Sequence, residues 1–278
     1  MNTVYFDIAA SERVRLDRLY QGQLLIFSPC SSSVAFRDFC REIIETGLGK
    51  IAPQKAHYHL AEKDYLAQES AYRSAITNHP ETPHLIRAIL AEFSCDLQQT
   101  YFAPPYLRMA PYRGYLSSGE GLLHDPHRDT WYASPQCQIN WWIPLYDLQS
   151  ENALAFHPNY WNKGVKNGST NFNDDGNFDG KLNSFDLLPT PQEDIEIEPE
   201  IRPICPPGGI IMFSSAQMHS AVPNTSEDVR YSIDFRTVNL ADIVNQKGAP
   251  NIDSDTKNTC FKDFLRATDL QELETVNK

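Results

Sequence analysis

The sequence predicts an α+β fold in which a double-sheet jelly roll follows a helical N-terminal part. In the first third of the 278 residues, apolar side chains recur at helical spacing. From Tyr106 onward the chain consists of short segments rich in β-branched and aromatic residues, separated by Pro, Gly and Asn, which is typical of antiparallel strands and turns. Helices and strands do not alternate, which disfavours a parallel βαβ sheet.

Two N-terminal helices have recognisable starts, and a third is predicted at 60–76. Three serines at 31–33 predict a capped start for a helix that Gly47 and Gly49 end. Thr82 as cap and Pro83 in the first turn predict the start of another. The apolar faces that define these two helices are Phe36, Phe39, Ile43 and Ile44 in the first and Leu85, Ile86, Ile89, Leu90, Phe93 and Leu97 in the second.

Five segments after the helical part have the composition of β-strands. They are residues 106–113, 136–144, 153–157, 209–214 and 229–238. We expect one domain over residues 1–278. Its predicted parts are a mainly helical flank at 1–105, a jelly-roll core at 106–238 with a lid or insertion at 162–207, and a C-terminal extension at 239–278.

Composition excludes several classes of protein. No apolar run approaches the roughly 18 residues of a membrane span, and charged residues interrupt the N-terminus where a signal peptide would be apolar. The six cysteines form no C-x-x-C pair, so neither a disulfide framework nor a thiolate zinc site is indicated. We therefore expect a cytoplasmic protein, and the sequence does not predict its oligomeric state.

The chain is acidic, with a formal net charge of -12. Such a charge repels polyphosphates, which argues against nucleic acid as a partner. A neutral or cationic small-molecule substrate is favoured.

The segment 162–207 is dense in Asn, Gly, Asp and Pro and is longer than an ordinary connection. Within it, residues 175–186 have the ligand spacing of a calcium loop. The flanking residues are poor helix formers and the last ligand is Asp186 rather than Glu, so a solvated turn is favoured over a calcium site.

The segment GLLHDPHRDTWY holds His124, Asp125, His127 and Asp129 within six residues. Residues two apart in an extended chain point to the same side, so His127 and Asp129 can bind one ion while Arg128 points away. Two imidazoles and one carboxylate suffice for an octahedral iron site that must also admit a bidentate co-substrate and O2.

The best candidate for the third ligand is His219. It follows an apolar strand and precedes a Pro-Asn turn, so we expect it at a strand end that lies beside the His127 segment. Arg230 and Ser232 open the next strand on one face, where a guanidinium and a hydroxyl suit the far end of a dicarboxylate. Arg236 shares that face but lies about 20 Å further along at strand rise, and we expect it to pair with Asp234 or Asp242.

With HRD at 127–129, His219, RYS at 230–232 and the strands NWWIPL and GGIIMFSS, the sequence resembles the iron(II)/2-oxoglutarate dioxygenases over residues 106–238. Within them it resembles the phytanoyl-CoA hydroxylase-like branch. The resemblance implies a cupin-like double-stranded β-helix, with Fe(II) held by His127, Asp129 and His219. It also implies 2-oxoglutarate as co-substrate, with its distal carboxylate bound by Arg230, and O2 as oxidant.

Within this superfamily, halogenases replace the carboxylate ligand with Gly or Ala to admit chloride. Asp129 is present, so hydroxylation of an unactivated C–H bond is favoured over halogenation. A looser similarity to bacterial natural-product tailoring oxygenases, including the cylindrospermopsin type, rests on no named motif and suggests secondary metabolism.

Several other side chains are candidates for the pocket. We assign Gln138 and Ser232 to the co-substrate and the following to the substrate: Trp142, Asn140, Tyr132, Trp161 and His124. Each has a structural alternative. Of the adjacent Trp141 and Trp142, one is expected to pack outward against a helix, whereas Gln138 and Asn140 would satisfy buried backbone groups.

Two other functions stay open from the residues alone. His124, His127 and Asp129 have the composition of a zinc site that activates water for hydrolysis, which would make no use of Arg230. A non-enzymatic jelly-roll binding protein would keep the fold without the chemistry.

Overall fold

The structure, a computed structural model, describes residues 3–117, 125–172 and 189–273. Its helices are α1 (Glu12–Leu19), α2 (Ser31–Leu48), α3 (Glu62–Thr77), α4 (Thr82–Glu92) and α5 (Leu240–Val244). Its strands are β1 (Val4–Phe6), β2 (Leu24–Phe27), β3 (Thr100–Ala110), β4 (Ile139–Pro144), β5 (Leu154–Phe156), β6 (Ile210–Ser214), β7 (His219–Ala221), β8 (Arg230–Asn239) and β9 (Leu265–Arg266). None of these helices combines the length and the apolar character that crossing a membrane requires.

The strands form two sheets, which confirms the predicted α+β jelly roll. Seven strands make the large sheet in the order β1-β2-β6-β4-β8-β3-β9, and β5 pairs with β7 in the small one. Apart from the parallel pair of β1 and β2, neighbouring strands are antiparallel. Isolated bridges extend the small sheet at both sides, from His219 to His127 and from Phe156 to Ile201.

The large sheet has the helices on one face and the small sheet on the other. Side chains alternate between the two faces along a strand. Trp141 and Met212 pack into the apolar cluster that includes the helices, whereas Trp142, Ile211 and Phe156 of the small sheet form a cluster between the sheets. The prediction that one of the two adjacent tryptophans packs toward a helix is therefore confirmed, and that residue is Trp141.

The region 1–105 contains the predicted helices but also two strands that the sequence did not reveal. Strands β1 and β2 join the edge of the large sheet. Leu24–Phe27 is apolar and buried at every position, and a short apolar run without alternation has no helical or strand period to identify it. In addition, β3 begins at Thr100, so the sheet starts before the expected boundary at 106.

Two details of helix capping differ from prediction. The N-cap of α2 is Cys30 rather than a serine, and the Ser33 hydroxyl accepts a hydrogen bond from the Cys30 backbone N–H at 2.9 Å. Thr82 is the first residue of α4 rather than its cap. Its hydroxyl instead donates to the carbonyl of Ile76 at 2.5 Å, which ties α4 to the end of α3.

The predicted insertion at 162–207 is described at its two ends. These ends lie side by side, because the Gly168 N–H donates to the Thr190 carbonyl at 3.2 Å. The proposed calcium loop at 175–186 lies outside the described residues. So does His124.

A buried ion pair anchors the segment that carries the predicted metal ligands. Arg128 is fully buried, and its Nε donates to both carboxylate oxygens of Asp253 at 3.0 and 3.1 Å. The rest of the guanidinium donates to the carbonyls of Ala216, Tyr160 and Lys163. Arg128 thus points away from the ligand side, as the extended backbone predicts.

We expect Arg128→Met to lower the free energy of unfolding by about 3–5 kcal/mol, because it leaves the Asp253 carboxylate buried without its cation. Urea denaturation of the purified protein measures the change. Asp17→Asn is the matched control, since it breaks the exposed Arg13–Asp17 pair, whose loss costs about 1 kcal/mol or less. Equal effects of the two substitutions would contradict an anchoring role for Arg128.

Candidate metal centre

His127 and His219 are far apart in the sequence, but backbone hydrogen bonds pair them. The His127 N–H donates to the His219 carbonyl at 2.9 Å, and the His219 N–H donates to the His127 carbonyl at 3.0 Å. Residues that exchange both hydrogen bonds in an antiparallel pair lie directly opposite one another with their side chains on one face. The two imidazole centroids are accordingly 4.4 Å apart.

The position of His219 differs from the prediction in one respect. It is the first residue of β7 rather than the end of the preceding strand. The reason is a turn after β6, in which the Gln217 N–H donates to the Ser214 carbonyl at 2.9 Å. The turn redirects the chain from the large sheet to the small one and places His219 beside His127.

Asp129 completes the cluster from the start of a short 3-10 helix at Asp129–Tyr132. Its Oδ1 lies 3.8 Å from His127 Nε2 and 3.9 Å from His219 Nε2. The potential ligand atoms of the three side chains all lie within 4.8 Å of one another, and across residues 3–117, 125–172 and 189–273 no other group of His, Cys, Asp and Glu side chains has this arrangement. The geometry suits one ion bound by all three side chains.

Both imidazoles are oriented by hydrogen bonds on the side away from Asp129. His127 Nδ1 lies 3.0 Å from the Asp125 carbonyl oxygen, and His219 Nδ1 lies 2.9 Å from that of Gln217. Since a carbonyl only accepts, each Nδ1 carries the proton and each Nε2 keeps its lone pair for a metal.

One oxygen of Asp129 is held while the other faces the histidines. Asn140 Nδ2 donates to Oδ2 at 2.5 Å, and Gln138 Nε2 reaches the same oxygen at 3.5 Å. Gln138 Nε2 also donates to the side-chain oxygen Oδ1 of Asn140 at 3.1 Å, which fixes the orientation of the Asn140 amide. Asn140 in β4 and Gln138 just before β4 therefore hold Oδ2, which leaves Oδ1 directed toward the site.

The protonation states of the three side chains suit metal binding. Burial lowers the pKa of His127 and, with the neighbouring His127, lowers the pKa of His219 to about 4. Burial alone would raise the pKa of Asp129, but His219, Arg236 and His127 and the hydrogen bond from Asn140 outweigh it and lower the pKa. At neutral pH the cluster is two neutral imidazoles and one carboxylate.

A small inner cavity of about 110 Å³ lies between the sheets beside the cluster and is lined by His127, Asp129, His219 and Arg230. Arg230 is only 4% exposed, and its Nη1 makes long contacts of 3.3 and 3.5 Å with two carbonyls at the start of β5. Burial lowers the pKa of this guanidinium to about 10, and no carboxylate of the described residues lies within ion-pair distance. The cavity therefore presents a desolvated cation that makes no close ion pair within the described residues, with Asp234 as a more distant carboxylate.

Further buried polar atoms near Arg230 lack hydrogen-bond partners among the described residues. They are Arg230 Nε, Ser232 Oγ and the indole Nε1 of Trp142. Trp142 lines the cavity and its ring lies 5.8 Å from the Arg230 guanidinium, while Ser232 follows Arg230 on the same strand face. Buried donors are normally satisfied, so Arg230 Nε and Trp142 Nε1 fit a bound anion in the cavity that these two residues line. Ser232 is not among the residues that line this cavity, so its contact with the co-substrate stays a prediction.

An outer cleft of about 980 Å³ reaches the cluster from the other side. His127 and Asp129 line both spaces, whereas Tyr132 and Gln138 line the cleft alone. The Tyr132 ring lies edge-on to His127, with centroids 5.6 Å apart, and its hydroxyl donates to the Pro189 carbonyl. His127 and Asp129 therefore lie between a small charged cavity and a wide cleft, together with Arg73, Arg108 and Arg236, which also line both.

The predicted pocket residues do not all lie there. Asn140 and Trp142 line the inner cavity, and Tyr132 lines the outer cleft. Trp161 lines neither space, which corrects its assignment to the substrate. It packs with Ala216 and Ala249 and against Gly22, where the Cβ of any larger residue would lie 2.3 Å from the indole.

Gln138 contacts Asp129 and Asn140 and lines the outer cleft, and its assignment to the co-substrate stays a prediction. Its place just before β4 directs it toward the carboxylate ligand rather than toward Arg230. The prediction that Arg236 pairs with Asp234 agrees with the structure, since Arg236 Nη2 lies 4.0 Å from Asp234 Oδ2.

Sequence reasoning missed three groups of charged residues around the site. Asp253 accepts hydrogen bonds from Arg128, from the Trp131 indole at 2.7 Å and from the Val165 N–H at 2.9 Å. Two pairs in the cavity wall, Arg73–Glu69 and Arg108–Asp234, were also missed. A signal existed in β8, where Ser232, Asp234 and Arg236 alternate with apolar residues, because polar residues at every second position indicate a strand face that lines a cavity.

Comparisons with known proteins give a family and a fold. The sequence matches the family described as phytanoyl-CoA dioxygenase (PhyH) over residues 21–232, and no curated protein matches it. EvdO2 from Micromonospora carbonacea var. aurantiaca, solved in complex with 2-oxoglutarate, is 14% identical with a TM-score of 0.50, and the match covers 84% of this chain and 92% of that one.

Two further solved structures are similar to this chain at lower TM-scores. The apo form of ThoJ, a non-heme monooxygenase, is 12% identical with a TM-score of 0.45 over 81% of this chain and 76% of that one. SnoN, an α-ketoglutarate-dependent epimerase from nogalamycin biosynthesis, is 13% identical with a TM-score of 0.40 over 82% and 85%. Because the family match spans most of the sequence, the chain belongs to the phytanoyl-CoA dioxygenase (PhyH) family and is a 2-oxoglutarate-dependent dioxygenase that uses Fe(II), 2-oxoglutarate and O2.

Proposed function

We propose that this dioxygenase hydroxylates an unactivated C–H bond of a small molecule in secondary metabolism, with release of succinate and CO2. One observation carries the proposal: a cluster of two imidazoles and one carboxylate lines the same cavity as Arg230, a buried arginine that makes no close ion pair within the described residues. The place in secondary metabolism rests on the looser resemblance of the sequence to natural-product tailoring oxygenases.

In this proposal His127, Asp129 and His219 hold the iron. Three protein ligands leave half of an octahedral coordination sphere for co-substrate and oxidant. When bound, iron and 2-oxoglutarate supply the activation of O2 for C–H oxidation. The protein keeps both Nε2 atoms unprotonated, holds the second oxygen of Asp129 through Asn140 and restricts water in the inner cavity.

Arg230 and Ser232 are proposed to hold the distal carboxylate of 2-oxoglutarate. Arg230 is desolvated before any ligand arrives, so a carboxylate meets a cation that water no longer screens. Its weak carbonyl contacts orient the guanidinium but leave Nε for the ligand. A zinc hydrolase would have no use for Arg230, and family membership favours the oxygenase over both a hydrolase and a non-enzymatic binding protein.

The substrate is proposed to occupy the outer cleft, since the inner cavity is small and has Arg230 in its wall. Asp129 occupies the position that halogenases leave open for chloride, which favours oxygen transfer over halogenation. Mass spectrometry of the product tests the outcome. A gain of one oxygen atom supports hydroxylation, and an isomerised product of unchanged mass contradicts it.

We expect Asp129→Gly to abolish succinate formation and the anaerobic metal-to-ligand absorption that requires both Fe(II) and 2-oxoglutarate, while thermal unfolding changes little. The carboxylate binds the metal but adds little to the apolar core. Asp125→Asn is the control, because the Asp125 side chain is exposed and only its backbone carbonyl contacts His127. Full activity in Asp129→Gly would show that Asp129 is not an essential ligand.

We expect Arg230→Ala to raise the KM for 2-oxoglutarate by about 10- to 150-fold, corresponding to the loss of a charged hydrogen bond of about 1.5–3 kcal/mol. Arg230→Lys should give an intermediate value, because it keeps the charge and loses the planar fork. Steady-state succinate release at varied 2-oxoglutarate provides the measurement. An unchanged KM in Arg230→Ala would assign the distal carboxylate to another residue.

We expect Asn140→Ala to weaken Fe(II) binding by about 10- to 100-fold, since a metal-ligating carboxylate depends on the hydrogen bonds that orient it. Gln138→Ala should have a smaller effect because its contact with Asp129 is 1.0 Å longer, at 3.5 against 2.5 Å. Anaerobic calorimetric titration with Fe(II) compares the two variants. Equal affinities in Asn140→Ala and the unmodified protein would rule out this positioning role.

A further inference from the structure

Arg236 is a cation of the site wall that makes one long ion pair within the described residues and also interacts through its charge with the Asp129 carboxylate. Its nearest carboxylate oxygen in the described chain, Asp234 Oδ2, lies 4.0 Å away. The other oxygen of Asp234 accepts a 2.7 Å hydrogen bond from Arg108. Arg236 Nε is buried and makes no hydrogen bond within the described residues, although the side chain as a whole is 37% exposed. A guanidinium in this state can accept an anionic ligand without first breaking a strong ion pair.

Arg236 is also placed beside the metal ligands. It lines both the inner cavity and the outer cleft. In the large sheet it lies directly opposite Asn140, the residue that holds Asp129. The backbone of Arg236 is therefore one strand spacing, about 5 Å, from the backbone of the residue that positions the carboxylate ligand.

The co-substrate does not account for Arg236. Arg230 already provides a buried cation in the inner cavity. Six residues of strand place the Cα atoms of the two arginines about 20 Å apart, although both side chains reach that cavity. Arg236 is partly exposed toward the wide cleft, where the substrate is expected to bind.

The local charges of the cleft differ from the charge of the whole protein. Arg73 and Arg108 lie on the same wall as Arg236, with their guanidiniums 4.0 and 4.9 Å from the Tyr106 ring. The exposed rim has both signs, with Asp125, Lys262 and Asp263. Charges on distant surfaces are screened beyond about 10 Å at moderate salt, so the net charge of -12 does not decide what binds here.

We propose, on the basis of the proposed function, that the primary substrate carries an oxyanion group, a carboxylate, sulfate or phosphate, that Arg236 binds in the outer cleft. This replaces the neutral or cationic substrate that net charge alone favours. The anchored group would hold the substrate at a fixed distance from the metal ligands, because Arg236 belongs to a central strand of the sheet rather than to a loop.

A matched pair of probes tests the proposal. The anaerobic protein loaded with Fe(II) and 2-oxoglutarate is titrated with 2-naphthalenesulfonate and with its neutral sulfonamide, and binding is measured by calorimetry. We expect the sulfonate to bind at least ten-fold more tightly, and Arg236→Gln to reduce this ratio to near one. Arg18→Gln removes the same charge on α1, far from the cleft, and should keep the ratio.

Equal binding of the two probes, no measurable binding of the sulfonate, or a retained preference in Arg236→Gln would overturn the oxyanion site. A large loss of 2-oxoglutarate affinity in Arg236→Gln would also overturn it, by assigning Arg236 to the co-substrate. A failure of the proposed function can be distinguished from a failure of the oxyanion site, because it would appear as the absence of the absorption that requires both Fe(II) and 2-oxoglutarate. The probe titration would then be repeated on metal-free protein, where the same ratios apply.

Discussion

The antiparallel bridge between His127 and His219 is the interaction on which the site depends. Two backbone hydrogen bonds place both imidazoles on one face of the small sheet, and β7 is in turn held by β5. Asn140, which holds the third ligand, belongs to the large sheet. The metal centre therefore spans both sheets, and its geometry is maintained only while the sheets keep their packing around Trp142 and Phe156.

A second constraint comes from the C-terminal part of the chain. Asp253 lies beyond the residues matched by the family, 21–232, yet its carboxylate accepts hydrogen bonds from Arg128, Trp131 and Val165. Arg128 and Trp131 lie on either side of Asp129 in the sequence, and Val165 lies near the start of the insertion at 162–207. The segment after the jelly roll is thus part of the scaffold of the metal centre, and the buried charge of Arg128 makes that attachment costly to break.

The sequence predicted what is encoded locally. The spacing of His127 and Asp129, the alternation that separates Trp141 from Trp142, and the helical faces all depend on residues a few positions apart. Pairing between distant segments has no such local signature. Three features depend on how distant segments pack and on the order of the strands in the sheet, so the spacing of residues along the sequence could not predict them. They are the position of β2 near the sheet edge, the partner of Arg128 and the burial of Trp161 against Gly22.

Family membership defines the metal and the co-substrate, but the reaction also depends on where the substrate's C–H bonds lie. The inner cavity is too small to admit much beyond the co-substrate, so this choice falls to the outer cleft. A cation fixed in a central strand can select one C–H bond more reproducibly than a loop residue, because strand register sets its distance from Asn140 and hence from Asp129. The choice of the C–H bond that is oxidised would then be determined by the sheet, because the sheet sets the position of the Arg236 charge.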